Sequence, residues 1–375
     1  MSLTSSSPTP RGRRRVRASV AAVATVGLAA TGVIAFSGTA RAADTLGAAA
    51  AESGRYFGTA IGPHLLGEAD YAATLNQEFN SVVAENDMKW DATEPSQGQF
   101  NFSGGDRLVE HAQSQGMEVR GHTLVWHAQQ PGWVQGLTGD SLRQAMLDHI
   151  DGVAGHFAGQ IDSWDVVNEA FEWDGSRRQS NLQQQLGDGW IEEAFRAADA
   201  ADPDATLCYN DYGTDGINAK SDGIYRMVED FLARGVPIDC VGFQSHLDSN
   251  SDLSSYQQNL QRFADLGVEV QITELDIGGS GSAQANAYRT VTEACVAVQG
   301  CAGITIWGFT DKYSWRADDT PLLFDTNYQK KEAYGAVLDA LNAAAPAGDG
   351  DQEDGTASSY LPAAWREGTS THRAT

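Results

Sequence analysis

Eight short apolar, β-prone runs recur along this chain with helical spacing between them, and no other feature restricts the fold as much. The runs are YFGTAIG from Tyr56, FNSVVAEN from Phe79, MEVRGHTLVW from Met117, IDSWDVVNE from Ile161, ATLCYND from Ala205, DCVGFQSH from Asp239, VEVQITELDI from Val268 and GITIWGFT from Gly303. Between them, DRLVEHAQSQG, SLRQAMLDHIDGVAGHF, WIEEAFRAADAAD, GIYRMVEDFLARG and YGAVLDALNAA repeat apolar residues every three to four positions, the mark of helices with one buried face. Gly116, Gly235 and Gly267 each stand shortly before the next run, where helix C-terminal caps belong. Eight strand-then-helix repeats predict an α/β fold of one domain, the (β/α)8 TIM barrel, whose parallel strands are buried on both faces and read as continuous apolar runs. A doubly wound open sheet is the alternative, but no G-x-G-x-x-G loop follows the first run.

The ends of the chain differ from this body. Residues 1–43 combine an arginine cluster (Arg11, Arg13, Arg14, Arg15, Arg17), an apolar run from Val20 to Phe36 and a small-residue end at Ala40, Arg41 and Ala42, the layout of a secretory signal peptide. The apolar run is short for a membrane span, so the chain is expected to be secreted and extracellular; the paired arginines leave twin-arginine and general export both open. Residues 44–345 are the expected catalytic domain, and residues 346–375, rich in Gly, Asp, Glu, Ser and Ala, an expected disordered tail. With 25 Lys plus Arg against 50 Asp plus Glu the formal charge is −25, and removing the leader's six arginines takes it to −31. Such a surface repels nucleic acid and anionic membranes and suits a neutral or cationic partner. The four cysteines, Cys208, Cys240, Cys295 and Cys301, all follow the leader. An oxidising compartment favours disulfides, with three pairings open; proximity favours Cys295 with Cys301, leaving Cys208 with Cys240. No C-x-x-C or clustered Cys/His spacing offers a zinc site.

In a barrel the C-terminal strand ends line the working face. An ionised glutamate closing an apolar run, as Glu169 does in WDVVNEA, therefore points at a site and not into a dry core. The second run closes on Glu85 and Asn86 with Lys89 beyond, and the third carries His122, Trp126 and His127. Asn168 and Glu169 close the fourth, Asn210, Asp211 and Tyr212 the fifth, Gln244 and His246 the sixth, Glu274 and Asp276 the seventh. Trp307 closes the eighth, and Trp315 lies in the following loop. Two carboxylates facing each other across a cleft, Glu169 and Glu274, are the equipment of glycoside hydrolysis. Indole faces suit the C–H faces of sugar rings, and Asn, Gln, Lys and His supply hydrogen bonds to hydroxyls. His127 fits a structural role equally well, and His111, His149 and His156, within helical periodicity, are expected on the exterior.

Taken together, AENDMKWDATEP, RGHTLVWH, WDVVNEA, CYNDY, GFQSH, QITELDI and TIWGFTDKYSW, in this order over residues 44 to 344, resemble glycoside hydrolase family 10, the endo-1,4-β-xylanases, in a secreted bacterial form. The resemblance implies Glu169 as acid/base and Glu274 as nucleophile, with the carboxyl groups roughly 5 Å apart and a covalent glycosyl-enzyme that preserves anomeric configuration. It implies His246 against the nucleophile with Asp276 orienting it, and Asn168 on the sugar 2-hydroxyl. Glu85, Asn86, Lys89, His122, Trp126, Gln244 and Trp307 match glycone contacts, Asn210 and Tyr212 the leaving-group side. Trp315 matches a loop tryptophan that crowds a C6 hydroxymethyl, favouring xylose over glucose. The family's disulfides join Cys208 to Cys240 and Cys295 to Cys301. Xylan and xylo-oligosaccharides are the implied partners of a monomer that needs neither metal nor other cofactor. The stretches 172–186 and 278–282 carry no mapped contacts. Among rivals, a metal-dependent amidohydrolase needs H-x-H, whereas GHTLVWH spaces its histidines five apart. A sugar-binding barrel without chemistry should lack one of the two glutamates, and an endoglucanase requires Trp315 to leave the C6 position.

Overall fold

The computed structural model describes residues 42–344. The expected leader up to Arg41 and the expected tail from residue 346 lie outside the described residues. The strands are β1 (Tyr56–Ile61), β2 (Ser81–Ala84), β3 (Glu118–Trp126), β4 (Ser163–Asn168), β5 (Thr206–Asp211), β6 (Cys240–Phe243), β7 (His246–Asp248), β8 (Glu269–Gly278) and β9 (Cys301–Ile306). Parallel pairing runs β1–β2–β3–β4–β5–β6–β8–β9, and β9 returns to β1 where Tyr56 meets Gly303, closing a ring of eight. The short β7 is the sixth stave resumed: Gln244 and Ser245 interrupt it, and His246 then pairs with Asp276 near the end of β8. All eight predicted runs thus become staves, and β1, β2, β4 and β6 are buried throughout, as parallel strands covered on both faces must be.

The five periodic stretches fold as helices Ser103–Gln115, Gly139–His156, Trp190–Ala201, Ala219–Ala233 and Glu332–Asn342. Helix Trp190–Ala201 shows why: Trp190, Ile191, Ala194, Phe195 and Ala198 form one buried stripe, and truncating a core phenylalanine such as Phe195 typically costs about 3–5 kcal/mol. Gly116, Gly235 and Gly267 have φ of 69°, 63° and 93°, the left-handed geometry of helix ends. At Gly121 in β3 a side chain is excluded for another reason: a Cβ there would lie 2.1 Å from the Trp164 ring.

Both expected disulfides are present. Cys208–Cys240 joins facing positions of β5 and β6 with Cα atoms 4.4 Å apart, and Cys295–Cys301 ties helix Gly281–Ala297 to β9. The expectation for His149 is wrong: it is fully buried, with Nδ1 2.9 Å from Glu94 Oε2 and its ring stacked 4.3 Å from Trp90. Its helix turns Leu142, Ala145, Met146, Ile150 and Val153 inward, and position 149 falls on that same stripe. His111 is half-buried, bonded to Asn76, and His156 is exposed beside Asp106.

Candidate active site

A polar layer inside the barrel supports the mouth. Arg120 of β3 is buried and donates to Asp165, to Ser163 Oγ at 3.2 Å and to Gln271, which also accepts from Tyr56. Asp165 in turn lies 2.9 Å from His122 Nδ1. Burial opposes the Asp165 charge, but Arg120 and His122 outweigh it and hold the carboxyl below its ordinary range. Leaving either partner of a buried ion pair alone is strongly destabilising, so Arg120 and Asp165 fix the floor on which His122 stands.

One rung above, Glu274 of β8 is only 5 % exposed. Asn210 Nδ2 donates to its Oε1 at 2.7 Å, and His246 Nε2 lies 3.2 Å from its Oε2. The second imidazole nitrogen of His246 lies 3.0 Å from Asp276 Oδ2. Desolvation disfavours the imidazolium, yet hydrogen bonds and charge from Asp276 and Glu274 push His246 up to about 10. His246 is therefore a cation at neutral pH and donates from both nitrogens. Burial alone would raise Glu274, but the His246 hydrogen bond and the nearby His122 and His246 imidazoles bring it below the usual glutamate value. Asp276 is pinned from outside, by Trp315 Nε1 at 2.8 Å and by Arg316 at 2.8 Å.

Glu169 follows β4 with a left-handed backbone, φ 59°. Its amide donates to Asn210 O at 2.9 Å, and Trp126 Nε1 and Gln244 Nε2 donate to its two carboxylate oxygens at 2.9 and 3.1 Å. Gln244 and Asn210 also both donate to Asn168 Oδ1, at 3.1 and 3.0 Å. A single hydrogen-bonded path thus runs Glu169–Gln244–Asn168–Asn210–Glu274. The two glutamates, 105 positions apart in the chain, share one mouth but differ in setting: Glu274 is buried and Glu169 partly open.

Around them, Lys89 is buried, donates to Asn86 Oδ1 at 3.1 Å and lies 5.1 Å from the centre of the Trp126 ring. Desolvation lowers its pKa against the opposing pull of Glu274 and Glu85, and burial likewise raises Glu85. The Trp307 ring packs edge-on against His122 at 5.2 Å, while Trp315 is 60 % exposed with its ring 5.0 Å from His246. Tyr212 stands outside the central path, its hydroxyl bonded to Arg178 at 2.7 Å. Asp211 is turned into the fold, accepting from Tyr209 at 2.6 Å and pairing with buried Lys220 at 2.7 Å. Burial pushes it up to about 6 despite those partners. Among the described residues, no group of three or more His, Cys, Asp or Glu side chains is arranged to hold a metal ion.

Five supporting residues escaped the sequence reading: Arg120, Asp165, Arg178, Arg316 and Glu94. Arg120 and Asp165 carried a signal, since charges in the middle of buried strands demand partners. Glu94 accepts from Trp90, from the Gly98 amide and from His149, bracing the segment that presents Lys89.

Comparison with known proteins fits this geometry. The family model for glycosyl hydrolase family 10 matches residues 45–340. An endo-1,4-β-xylanase of Agaricus bisporus is 45 % identical over 301 residues, covering 76 % of this chain and 90 % of that protein. Endo-1,4-β-xylanase B of Thermotoga neapolitana is 41 % identical over 287 residues, covering 72 % and 83 %. Among solved structures, xylanase 10B of Thermotoga petrophila, in complex with xylobiose, superposes with a TM-score of 0.77 at 40 % identity, covering 79 % of this chain and 97 % of that one. With a closed eight-stave barrel, two glutamates at one mouth and a family match along almost all of the described chain, the protein belongs to glycosyl hydrolase family 10 and is a glycoside hydrolase.

Proposed function

We propose that this chain is an endo-1,4-β-xylanase that cuts internal β-1,4-xylosidic bonds with retention of anomeric configuration. The observation that carries the reading is the pairing of Glu169 and Glu274 at the two ends of one hydrogen-bonded path, in unlike surroundings. The names of the relatives, and the xylobiose bound to the Thermotoga petrophila protein, support xylan as substrate.

In the first step a Glu274 carboxylate oxygen attacks the anomeric carbon, the glycosidic C–O bond breaks, and the Glu169 proton passes to the departing oxygen. The product is a xylosyl ester on Glu274 and a free xylan end. In the second step water attacks the same carbon, Glu169 takes its proton, and the ester bond breaks to return Glu274 as carboxylate. Imidazolium at His246 and the Asn210 amide keep Glu274 anionic between turnovers. Asn168 is assigned to the 2-hydroxyl, and Glu85, Asn86, Lys89, His122, Trp126, Gln244 and Trp307 to the glycone. Tyr212 belongs to the leaving-group side, whereas Asn210, which the resemblance also puts there, is fully buried with its amide committed to Glu274 and Asn168 and so supports the nucleophile. Trp315, tied to Asp276, closes the space a C6 hydroxymethyl would occupy.

The signal-like leader and two disulfides support secretion, and the monomeric state stays an implication of the resemblance. No described helix is long and apolar enough to cross a membrane. Relatives from Agaricus bisporus and Thermotoga neapolitana do not divide a bacterial from a fungal type.

The test is reducing-sugar release from xylan and from carboxymethylcellulose by wild type, Glu169→Ala and Glu274→Ala. Wild type should prefer xylan, and Glu274→Ala should lose roughly 10⁴-fold or more, because no other group forms the ester. Azide should restore turnover with inverted product. Full activity of Glu274→Ala without azide sinks the assignment.

A further inference from the structure

The backbone at Glu169 is strained: a non-glycine residue in the left-handed region persists only when its surroundings over-determine it. Two contacts come from β5, the Asn210 carbonyl receiving the Glu169 amide at 2.9 Å and the Tyr209 hydroxyl receiving the Ala170 amide at 2.9 Å. The third comes from residues 172–186, the stretch to which the sequence assigns no contacts. Arg178 Nε donates to the Glu169 carbonyl at 2.8 Å, and the Arg178 amide donates to Ala170 O at 2.8 Å. The same guanidinium donates to the Tyr212 hydroxyl at 2.7 Å and faces Glu172 at 3.5 Å. A planar fork of this kind holds two acceptors at a fixed mutual distance, which a lysine ammonium does not.

We propose that Arg178 is a positioning residue that sets the acid/base Glu169 against the leaving group, by bracing the Glu169 backbone and the leaving-group tyrosine Tyr212 on one guanidinium. The inference rests on the assignment of Glu169 as acid/base. It has a distinctive consequence. A mis-set acid slows departure of a sugar alkoxide, which needs a proton, and spares departure of a phenolate that needs none. Loss of folded enzyme lowers both reactions equally.

The experiment compares kcat/KM, which reports the first chemical step, for xylotetraose and for 2,4-dinitrophenyl β-xylobioside in wild type, Arg178→Met, Arg178→Lys, Tyr212→Phe and Glu169→Ala. For Arg178→Met the ratio of xylotetraose to dinitrophenyl substrate should fall about 10- to 100-fold, the worth of one charge-assisted hydrogen bond. Arg178→Lys and Tyr212→Phe, which each keep part of the brace, should lower it about threefold to tenfold. A ratio unchanged from wild type in the Arg178 variants, whatever the absolute rates, overturns the proposal. Because a ratio ignores the folded fraction, a poorly folding Arg178→Met still answers, and Arg178→Lys with Tyr212→Phe decide if it yields no protein. Glu169→Ala separates the two levels. If its ratio is also unchanged, the acid/base assignment falls; if its ratio collapses while those of Arg178 do not, only this inference falls.

Discussion

Replacing His246 with asparagine should move the acidic limb of the pH–rate profile upward. The carboxylate of Glu274 is held by Asn210 on one oxygen and by His246 on the other, with His122 and Lys89 as further positive or polarising neighbours and Asp165 opposing them. Asparagine at 246 removes one charge-assisted hydrogen bond, about 1.5–3 kcal/mol. At about 1.4 kcal/mol per pKa unit this raises the Glu274 pKa by about 1–2 units. Asp276 keeps Trp315 and Arg316, so the loop should remain in place. The assay is kcat/KM against pH, from about pH 3 to 9, on an aryl xylobioside whose leaving group needs no proton, so that Glu169 drops out of the profile. The rate should fall off at higher pH on the acid side in the variant than in wild type. A folded variant whose acidic limb coincides with that of wild type would refute the claim that the His246 cation keeps the nucleophile charged.

The same cation ties stability to alkaline pH. The folded-state pKa of His246, about 10, stands above the ordinary 6.5, so its contribution is complete below pH 6.5 and is lost as pH rises toward 10. By the shift it is worth on the order of 5 kcal/mol. Thermal unfolding at pH 6.5 and pH 10 should show a larger drop for wild type than for His246→Asn; equal drops contradict the linkage. At the rim, Trp315→Ala should raise kcat/KM on an aryl cellobioside relative to the matching xylobioside by about tenfold, the usual worth of one small group in a pocket. An unmoved ratio means that Trp315 does not guard the C6 position.

Much of this protein is legible along the chain. Runs such as WDVVNEA and QITELDI announce both a buried strand and the carboxylate that closes it, because burial on two faces demands a continuous apolar run and the barrel puts its ends at one mouth. Helix Gly281–Ala297 was not legible: it buries Gln284 and Thr292 among alanines, which blurs the apolar period. The inward place of His149 follows from its angle on the helix it shares with Leu142, Ala145, Met146, Ile150 and Val153, whereas helical periodicity by itself does not say which face a polar residue occupies.

Local sequence alone determined the staves, the caps and the two glutamates, since each depends on residues near one another or on a rule common to all strand ends; it left the cysteine pairings open, and the facing of β5 and β6 is what brings Cys208 to Cys240. Beyond the His246–Asp276 pair that the resemblance implies, tertiary structure alone decided which groups hold those glutamates. Arg120 meets Gln271 across 151 positions, Glu274 meets Asn210 across 64, and Tyr212 meets Arg178 across 34. Such hydrogen bonds are directional and span about 3 Å, so no pattern in the chain encodes them until ring closure brings distant strand ends together.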